Sequence, residues 1–165
     1  MRLAQRTQQA TIQGYTDQGG WLITTGYVVD DLVNDTGVEY VCIVAHTSTA
    51  ADRPGVGANW TDFWGILDST TDAFEMEDFS KAVFHMPGTW DAANIGFQVA
   101  YEPEGTYLPL YDDSGNLVAI TPVVDRSYAF PSSLEGAKYV KLWSNSAGTD
   151  VLQAADRIIQ LDFKA

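Results

Sequence analysis

The sequence predicts an all-β protein, in which a small N-terminal β-module precedes a jelly-roll-like β-sandwich domain with few short helices. Apolar and polar residues alternate with a period of two over several segments of the C-terminal half. Clusters of Gly, Asp, Asn and Pro separate these segments and mark turns. Charged residues make up only 19% of the chain, and no long heptad pattern of a helical protein occurs.

Residues 1–15 are predicted to form a polar N-terminal arm. Its glutamines provide hydrogen-bonding groups but little apolar surface to bury. Arg2 and Arg6 supply two of only nine basic residues and are candidate attachment residues. We expect the arm to order only against a neighbouring subunit or a particle, so that deleting residues 1–9 leaves the melting of the isolated protein unchanged.

Residues 16–67 are predicted to form the small β domain. Residues 38–45 are rich in β-branched and aromatic side chains and follow a tight-turn signal at 34–37, which together predict a hairpin. Trp60 is the expected core anchor of this module. Cys42 lies within the apolar run and is expected to be a buried small hydrophobic residue, without a redox role.

Residues 68–79 are predicted to be a linker. A turn or two of helix is expected over 60–67 and again over 71–79. The second segment carries acidic residues, for which a solvated face is favoured over a cation site because no turn fixes the carboxylates to converge. They are Asp72, Glu75, Glu77 and Asp78.

Residues 80–165 are predicted to be the β-sandwich domain. Ile95, Phe97, Val99 and Tyr101 alternate with smaller or polar residues and should share one buried strand face. Residues 131–136 are expected to cross between the sheets with one helical turn. The predicted strands are 81–86, 95–101, 107–111, 117–121, 127–130, 138–144 and 157–163.

Composition argues against several classes of function. The net charge of -13 disfavours binding to nucleic acid. No apolar stretch approaches the ~20 residues of a membrane span, and residues 1–15 lack the apolar core of a signal peptide, so we expect neither a membrane role nor export. Two histidines and one cysteine in different segments predict no metal site, and no motif predicts a cofactor.

No strong catalytic motif occurs, so the chain is predicted not to be an enzyme. His46 and Ser48 would share one face of a strand, yet neither an elbow glycine nor an oxyanion donor accompanies them. A hydrogen-bonded structural role is favoured for His46, and His85 is the only other histidine. A pair of carboxylates for glycoside cleavage stays open in so acidic a chain, although no feature selects such a pair.

Tyr27, Asp31 and Val33 are followed by Gly37 and Tyr40, and later by Pro54 and Trp60. This spacing resembles that of the short chitin-binding and cellulose-binding type modules. The resemblance implies binding to a glycan, with Trp64, Phe63, Tyr27 and Trp21 as stacking platforms. Asp30 stands where the family pattern has Gly, and Ala45-His46 offers no indole where the sugar-stacking pair would fall.

Residues 80–165 resemble the β-sandwich domains of bacteriophage decoration, head-fibre and tail-fibre proteins. The residues that carry this resemblance are Trp90-Asp91, 95–98, 110–112, 142–144, Gln153 and Asp156-Arg157. At Asp156 and Arg157 a structural ion pair or an interface contact is favoured over a functional pair.

The resemblance to phage proteins implies a non-enzymatic structural protein on the virion exterior, assembled in the host cytoplasm. Its partners would be the major capsid protein or other virion proteins, and further copies of itself in a homotrimer. Tyr139 and Trp143 are the candidate interface residues, because their predicted strand is apolar on both faces. A glycan-binding adhesin of a tail or fibre, with a host-surface glycan as partner, is the alternative.

Overall fold

The computed structural model describes residues 5–12, 14–66, 69–76, 79 and 81–164, apart from the side chains of residues 5 and 66. Among them no α-helix occurs, and short 3-10 turns lie at Ala50–Asp52, Trp60–Asp62 and Ser132–Leu134. The prediction of an all-β protein with few short helices is confirmed. The strands are β1 (Gln5–Ile12), β2 (Thr16–Gly20), β3 (Gly26–Tyr27), β4 (Asp31–Asp35), β5 (Val38–Cys42), β6 (His46–Thr47), β7 (Trp64–Ile66), β8 (Phe74–Glu75), β9 (Lys81–His85), β10 (Asn94–Ala100), β11 (Leu108–Pro109), β12 (Ala119–Ile120), β13 (Ser127–Ala129), β14 (Tyr139–Ser146), β15 (Thr149–Asp150) and β16 (Arg157–Lys164).

The chain divides into two compact units. The sandwich unit comprises Met1–Gln13 and Ser69–Ala165, and the small unit comprises Gly14–Asp68. The sandwich unit is therefore built from both ends of the chain, with the small unit inserted between its first and second strands.

Two antiparallel sheets form the sandwich unit. One has the order β1-β16-β9-β13, and the other has β11-β10-β14-β15 with β12 also on β10 and β8 also on β14. Side chains from both sheets meet in one core, where the rings of Phe84 and Phe97 lie 6.4 Å apart between centroids. Both phenylalanines are fully buried. This arrangement is sandwich-like, since the inner face of each sheet is covered by the other.

The predicted alternation in the sandwich is observed on β10 and β16. Ile95 and Phe97 are fully buried and Val99 packs against the same core, as expected from the period of two. Tyr101 is an exception, because it follows the end of β10 and is 82% exposed. On β16 the buried residues are Ile159, Leu161 and Phe163.

The predicted disordered arm is wrong for residues 5–12, which form β1. This strand pairs with β16 along its whole length, from Gln5 opposite Lys164 to Ile12 opposite Arg157. Ala10 and Ile12 point into the core, whereas Thr7 and Gln9 are exposed. Glutamine and threonine suit the outer face of an antiparallel strand, so a polar composition does not by itself indicate disorder.

The predicted linker and its helix are also wrong where residues 69–76 are described. Phe74 and Met76 are buried in the sandwich core, and β8 pairs with Val140 and Tyr139 of β14. Glu75, between Phe74 and Met76, is exposed, so buried and exposed side chains alternate with the period of two that is typical of a strand. Asp72 is also exposed, whereas Glu77 and Asp78 of the predicted acidic cluster lie outside the described residues.

The small unit contains the predicted hairpin. Asp35 pairs with Val38, and the two residues between them, Thr36 and Gly37, have φ angles of 55° and 88°. Positive φ at both positions is the geometry of a two-residue type I′ turn, which matches the twist of the flanking strands. A four-stranded sheet of order β2-β4-β5-β7 and the separate pair β3-β6 complete the unit.

The expected burial of two tryptophans is reversed. Trp64 is 1% exposed, whereas Trp60 is only partly buried and packs edge-on against Tyr40. The described residues 60–66 do not form the helix predicted for 60–67, because the 3-10 turn ends at Asp62 and β7 pairs Trp64 with Cys42. Trp64 enters the core from β7, whereas Trp60 lies on the preceding 3-10 turn and does not.

A polar network ties the start of β16 to the loop before β10. The Arg157 guanidinium lies 3.2 Å from Asp91 Oδ2 and donates to Thr89 Oγ1, while Asp91 Oδ2 also accepts from the backbone N–H of Ala154. The expected structural ion pair of Arg157 is thus formed with Asp91. The fully buried Gln153 accepts from the Asp91 N–H and completes the network.

We expect Asp91→Asn to destabilise the protein at neutral pH but not in acid. The backbone hydrogen bond from Ala154, followed by Arg157, lowers the pKa of Asp91. A lowered pKa means that the carboxylate stabilises the fold above the ordinary Asp pKa of about 3.9, and that this contribution is lost as the pH falls through the folded-state value. The urea unfolding free energies of the two proteins should therefore differ at pH 7 and begin to converge only as the pH falls below about 4. A difference that stayed constant into acid would contradict this role of the charge.

Candidate functional site

An apolar groove opens at one end of the sandwich unit, and we call it the end groove. Its two adjoining lobes enclose about 530 and 680 Å³. Both lobes are lined by Met76, Phe79, Leu134 and Gly136. The two lobes therefore meet at Leu134, the last residue of the 3-10 turn Ser132–Leu134.

Several short segments bring the groove wall together. The 3-10 turn holds Leu134 in place, and the backbone N–H of Leu134 donates to the Pro131 carbonyl. Gly136 has φ of +89°, which a non-glycine residue rarely adopts, and thereby turns the chain into β14. Val99 at the end of β10 and Phe130 after β13 provide further apolar surface.

Arg6 lies at the end of the core beside Phe79. Its guanidinium carbon is 4.8 Å from the ring centroid of Phe79 and 4.5 Å from that of Phe163. Nη2 donates to the Glu75 carbonyl at 2.6 Å, whereas the buried Nε has no hydrogen-bond partner among the described residues. The cation thus lies against two aromatic rings, and its buried Nε is left without a partner among the described residues.

Lysines border the groove. Lys138 lines one lobe and Lys81 the other, and Lys81 lies directly opposite Lys164 in the β9–β16 pairing. The Lys138 ammonium is 6.0 Å from the ring centroid of the exposed Tyr101. Together with Arg6, four of the nine basic residues of the chain therefore surround one end of the sandwich unit.

This arrangement can bind a ligand that is apolar along its length and carries negative charge. Apolar groups of the ligand lose their contact with water against the groove floor, which favours binding. The lysines attract carboxylates at longer range. Glu135 also lines one lobe, so the border is not uniformly positive.

The residues predicted to bind a glycan do not form an exposed platform. Trp64 and Tyr27 are 1% and 3% exposed, and their rings pack edge-to-face at 5.0 Å within the core of the small unit. Phe63 is half-buried and lies 4.5 Å from the His46 ring between centroids. Trp21 is half-buried, with the Arg53 guanidinium 5.7 Å from its ring. The stacking prediction for Trp64 and Tyr27 is therefore wrong, because other side chains already cover both rings.

The predicted attachment residues have different environments. Arg6 lies at the end groove, whereas Arg2 is outside the described residues. Tyr139 is half-exposed on β14, and its ring centroid is 5.7 Å from the Lys138 ammonium. Trp143 is 4% exposed and donates from Nε1 to Asp150 Oδ1 at 2.6 Å. Trp143 is therefore covered within its own unit and needs no partner chain.

The His46 and Ser48 side chains do not form a catalytic pair. Ser48 donates to the Leu22 carbonyl and accepts from the Thr25 N–H, while His46 Nδ1 lies 2.8 Å from the Val44 carbonyl. Burial raises the pKa of the nearby Cys42 thiol to about 11, so this cysteine is a poor nucleophile. The structural interpretation of His46 and the burial of Cys42 agree with the sequence-based expectations.

The described residues form neither a metal-binding cluster nor a membrane-spanning helix. No group of three or more His, Cys, Asp or Glu side chains in them is placed to hold a metal ion. None of their helices is long and apolar enough to cross a membrane.

Sequence reasoning missed the end groove apart from Arg6. Phe79 and Lys81 lie more than fifty residues from Leu134 and Lys138 along the chain, and no local pattern joins them. The sole local signal is Gly136, a turn residue directly before a predicted strand. Comparisons of the chain with protein-family models, with curated proteins and with solved structures gave no match.

Proposed function

We propose that the chain is a non-enzymatic structural protein on the exterior of a bacteriophage particle, either a capsid decoration or cement protein or a head-fibre component. In this proposal it attaches to the major capsid protein or another virion protein through the end groove. The observation that supports it is the apolar groove lined by Lys81 and Lys138, with Arg6 and Lys164 near the same end of the unit, in a chain of net charge -13. Such a surface is suited to a protein contact.

The partner in this proposal is an extended segment that carries apolar side chains and carboxylates. Its apolar side chains would cover the partly buried Phe79 and Val99, and its carboxylates would approach Lys81 and Lys138. Charge complementarity mainly raises the association rate and sets the orientation, whereas burial of the apolar floor supplies affinity. The acidic remainder of the chain would repel the same segment, so attachment would be confined to this end.

The double charge reversal Lys81→Glu and Lys138→Glu tests the attachment surface. We expect it to lower occupancy on purified particles at least ~10-fold at equal protein concentration, because each reversal replaces an attraction by a repulsion. Lys141→Glu is the matched control, since Lys141 lies on β14 outside the groove lining and packs 5.0 Å from the Tyr107 ring. Occupancy is measured by quantitative mass spectrometry and by electron microscopy of the particles.

The same experiment separates the alternatives. If the wild-type chain is missing from purified particles, the virion assignment is wrong. Equal occupancy of the double variant and the control on particles would place the attachment surface elsewhere. Unchanged circular dichroism and melting of both variants would show that a loss of occupancy does not result from unfolding.

A homotrimer stays a prediction for which Tyr139 is the better test residue. Trp143→Glu would destabilise even a monomer, because Trp143 is buried in its own unit. Tyr139→Glu alters a half-exposed position and should dissociate a trimer without unfolding the monomer. Light scattering at micromolar concentration counts the subunits of both forms.

Binding of a host-surface glycan is the second candidate, and the exposed ring of Tyr101 favours it. This ring is 82% exposed and has the Lys138 ammonium beside it, so a sugar face and an acidic substituent could both be bound there. Tyr101→Ala should then abolish binding on a glycan array.

A further inference from the structure

Four polar side chains form a hydrogen-bonded chain on the outer face of the first sheet of the sandwich unit. Ser127 Oγ lies 2.7 Å from His85 Nδ1, and His85 Nε2 lies 3.1 Å from Asp162 Oδ2. Thr7 Oγ1 donates to the other carboxylate oxygen of Asp162 at 2.7 Å. A hydroxyl, an imidazole and a carboxylate are thus connected in the order that nucleophilic catalysis requires.

The strand register explains why these residues meet. β1, β16, β9 and β13 are consecutive neighbours, with Thr7 opposite Asp162 and Ser127 opposite His85. His85 itself lies opposite Gln160, two residues before Asp162, so the imidazole reaches the carboxylate diagonally. One residue from each of four strands therefore contributes to a single row.

One tautomer of His85 satisfies every hydrogen bond in the row. When Nε2 carries the proton it donates to Asp162, and the unprotonated Nδ1 accepts from the Ser127 hydroxyl. The hydrogen bond from Thr7, followed by that from His85, lowers the pKa of Asp162, so this group is held as a carboxylate. The carboxylate in turn orients the imidazole and would stabilise an imidazolium.

We propose that Ser127 is an activated nucleophile that accepts an acyl group from small activated esters, with His85 as its general base and Asp162 and Thr7 as positioning residues. This activity is separate from the end groove and goes beyond the proposed attachment function. In acylation the Ser127 Oγ–carbon bond forms and the ester carbon–oxygen bond breaks. The hydroxyl proton moves to His85 Nδ1 and then to the leaving alkoxide, and the acyl group remains on Ser127, so the reaction is a single acylation and not enzymatic turnover.

Ser127 is accessible, and its strand leaves backbone donors open. The residue is exposed, and β13 is the last strand in the order of its sheet, where it pairs with β9 alone. Met86 donates to the Arg126 carbonyl and Phe130 donates to the Ala82 carbonyl, so in the alternating ladder the N–H groups of Ser127 and Ala129 point away from β9. We assign the unpaired N–H of Ser127 as a donor to the oxyanion of an acylation intermediate.

A flat sheet face excludes little water, and this limits the chemistry. We therefore expect slow acylation of one serine and not rapid turnover. A small, activated ester is the substrate class that such a surface accepts, because it needs no binding cleft.

The test uses the full-length chain and two probes, an alkyl fluorophosphonate and p-nitrophenyl acetate. Intact mass followed by peptide mapping should show one adduct on Ser127, which is absent in Ser127→Ala. His85→Asn should slow the labelling about 100-fold, which is the lower end of the range for general base catalysis. Asp162→Asn should also slow it, and circular dichroism should show that each variant remains folded at the assay temperature. Ser133→Ala is the matched control, since Ser133 is an exposed serine outside the row and its removal should change nothing.

A thiol variant gives a second measurement that does not depend on the oxyanion donors. Ser127→Cys should react with iodoacetamide faster than Ser133→Cys, because His85 would deprotonate the first thiol and has no such role at the second. Equal thiol reactivity, absence of an adduct on Ser127, or labelling of His85→Asn at the wild-type rate would each overturn the proposal.

Discussion

Replacing Trp64 by alanine is expected to lower the free energy of unfolding of the small unit by about 3 to 5 kcal/mol, the usual cost of truncating a large aromatic side chain in a core. Trp64 is 1% exposed and packs against Tyr27 and His46, with ring centroids 5.0 and 5.2 Å away. Its removal leaves a cavity where the largest buried side chain of this core lay. Amide hydrogen exchange of β5 and β7 measures the loss within this unit.

Trp60→Ala is the matched comparison for Trp64→Ala. Trp60 is only partly buried and has Tyr40 as its aromatic neighbour at 5.7 Å, so we expect its truncation to cost less than half as much. A Trp60 variant that is the more damaging of the two would support the original expectation from the sequence and contradict the burial described above.

Deleting residues 1–9 is expected to destabilise the sandwich unit, in contrast to the expectation from composition. The deletion removes the described residues Gln5 to Gln9 of β1, and each lost ladder hydrogen bond costs about 1 kcal/mol. It also removes the Arg6 stacking on Phe79 and Phe163. We therefore expect a loss of about 3 kcal/mol or more, measured as a lower midpoint of urea unfolding.

A point variant controls for the deletion. Gln9→Ala changes an exposed side chain on the outer face of β1 and should leave the urea midpoint nearly unchanged. A deletion variant that melts like the full-length chain would show that β1 contributes little to the sheet and would restore the view of residues 1–9 as an arm.

Period-two patterns allowed most strands of the sandwich to be predicted. Ile95 and Phe97 on β10, and Leu161 and Phe163 on β16, carry that pattern and are buried where it places them. The turn between β4 and β5 could also be predicted from the sequence, because Asp35, Thr36 and Gly37 favour a tight turn with positive φ angles. Such features depend on residues close together in the sequence.

Features that depend on distant residues could not be predicted. β1 is a strand because β16, more than 140 residues later, provides its hydrogen bonds, and its own polar composition gives no sign of this. The row of Ser127, His85 and Asp162 arises from the registers of three strands, and a change of one residue in any of them would separate it. Sequence reasoning examined His46 and Ser48 as a pair because they are neighbours, whereas the observed hydrogen-bonded serine and histidine lie 42 residues apart.

The pairing of β1 with β16 also determines when the protein can acquire its fold during synthesis. Translation releases β1 well before β16, so the pairing of these two strands must wait until β16 has left the ribosome. Gly14–Asp68 forms a compact unit of its own and can reach its native state earlier. Until β16 is released, β1 lacks the strand that pairs with it, and its unpaired backbone favours association with other chains. Slow elongation between β1 and β16, or truncation before β16, should therefore yield aggregates and not a partly folded monomer.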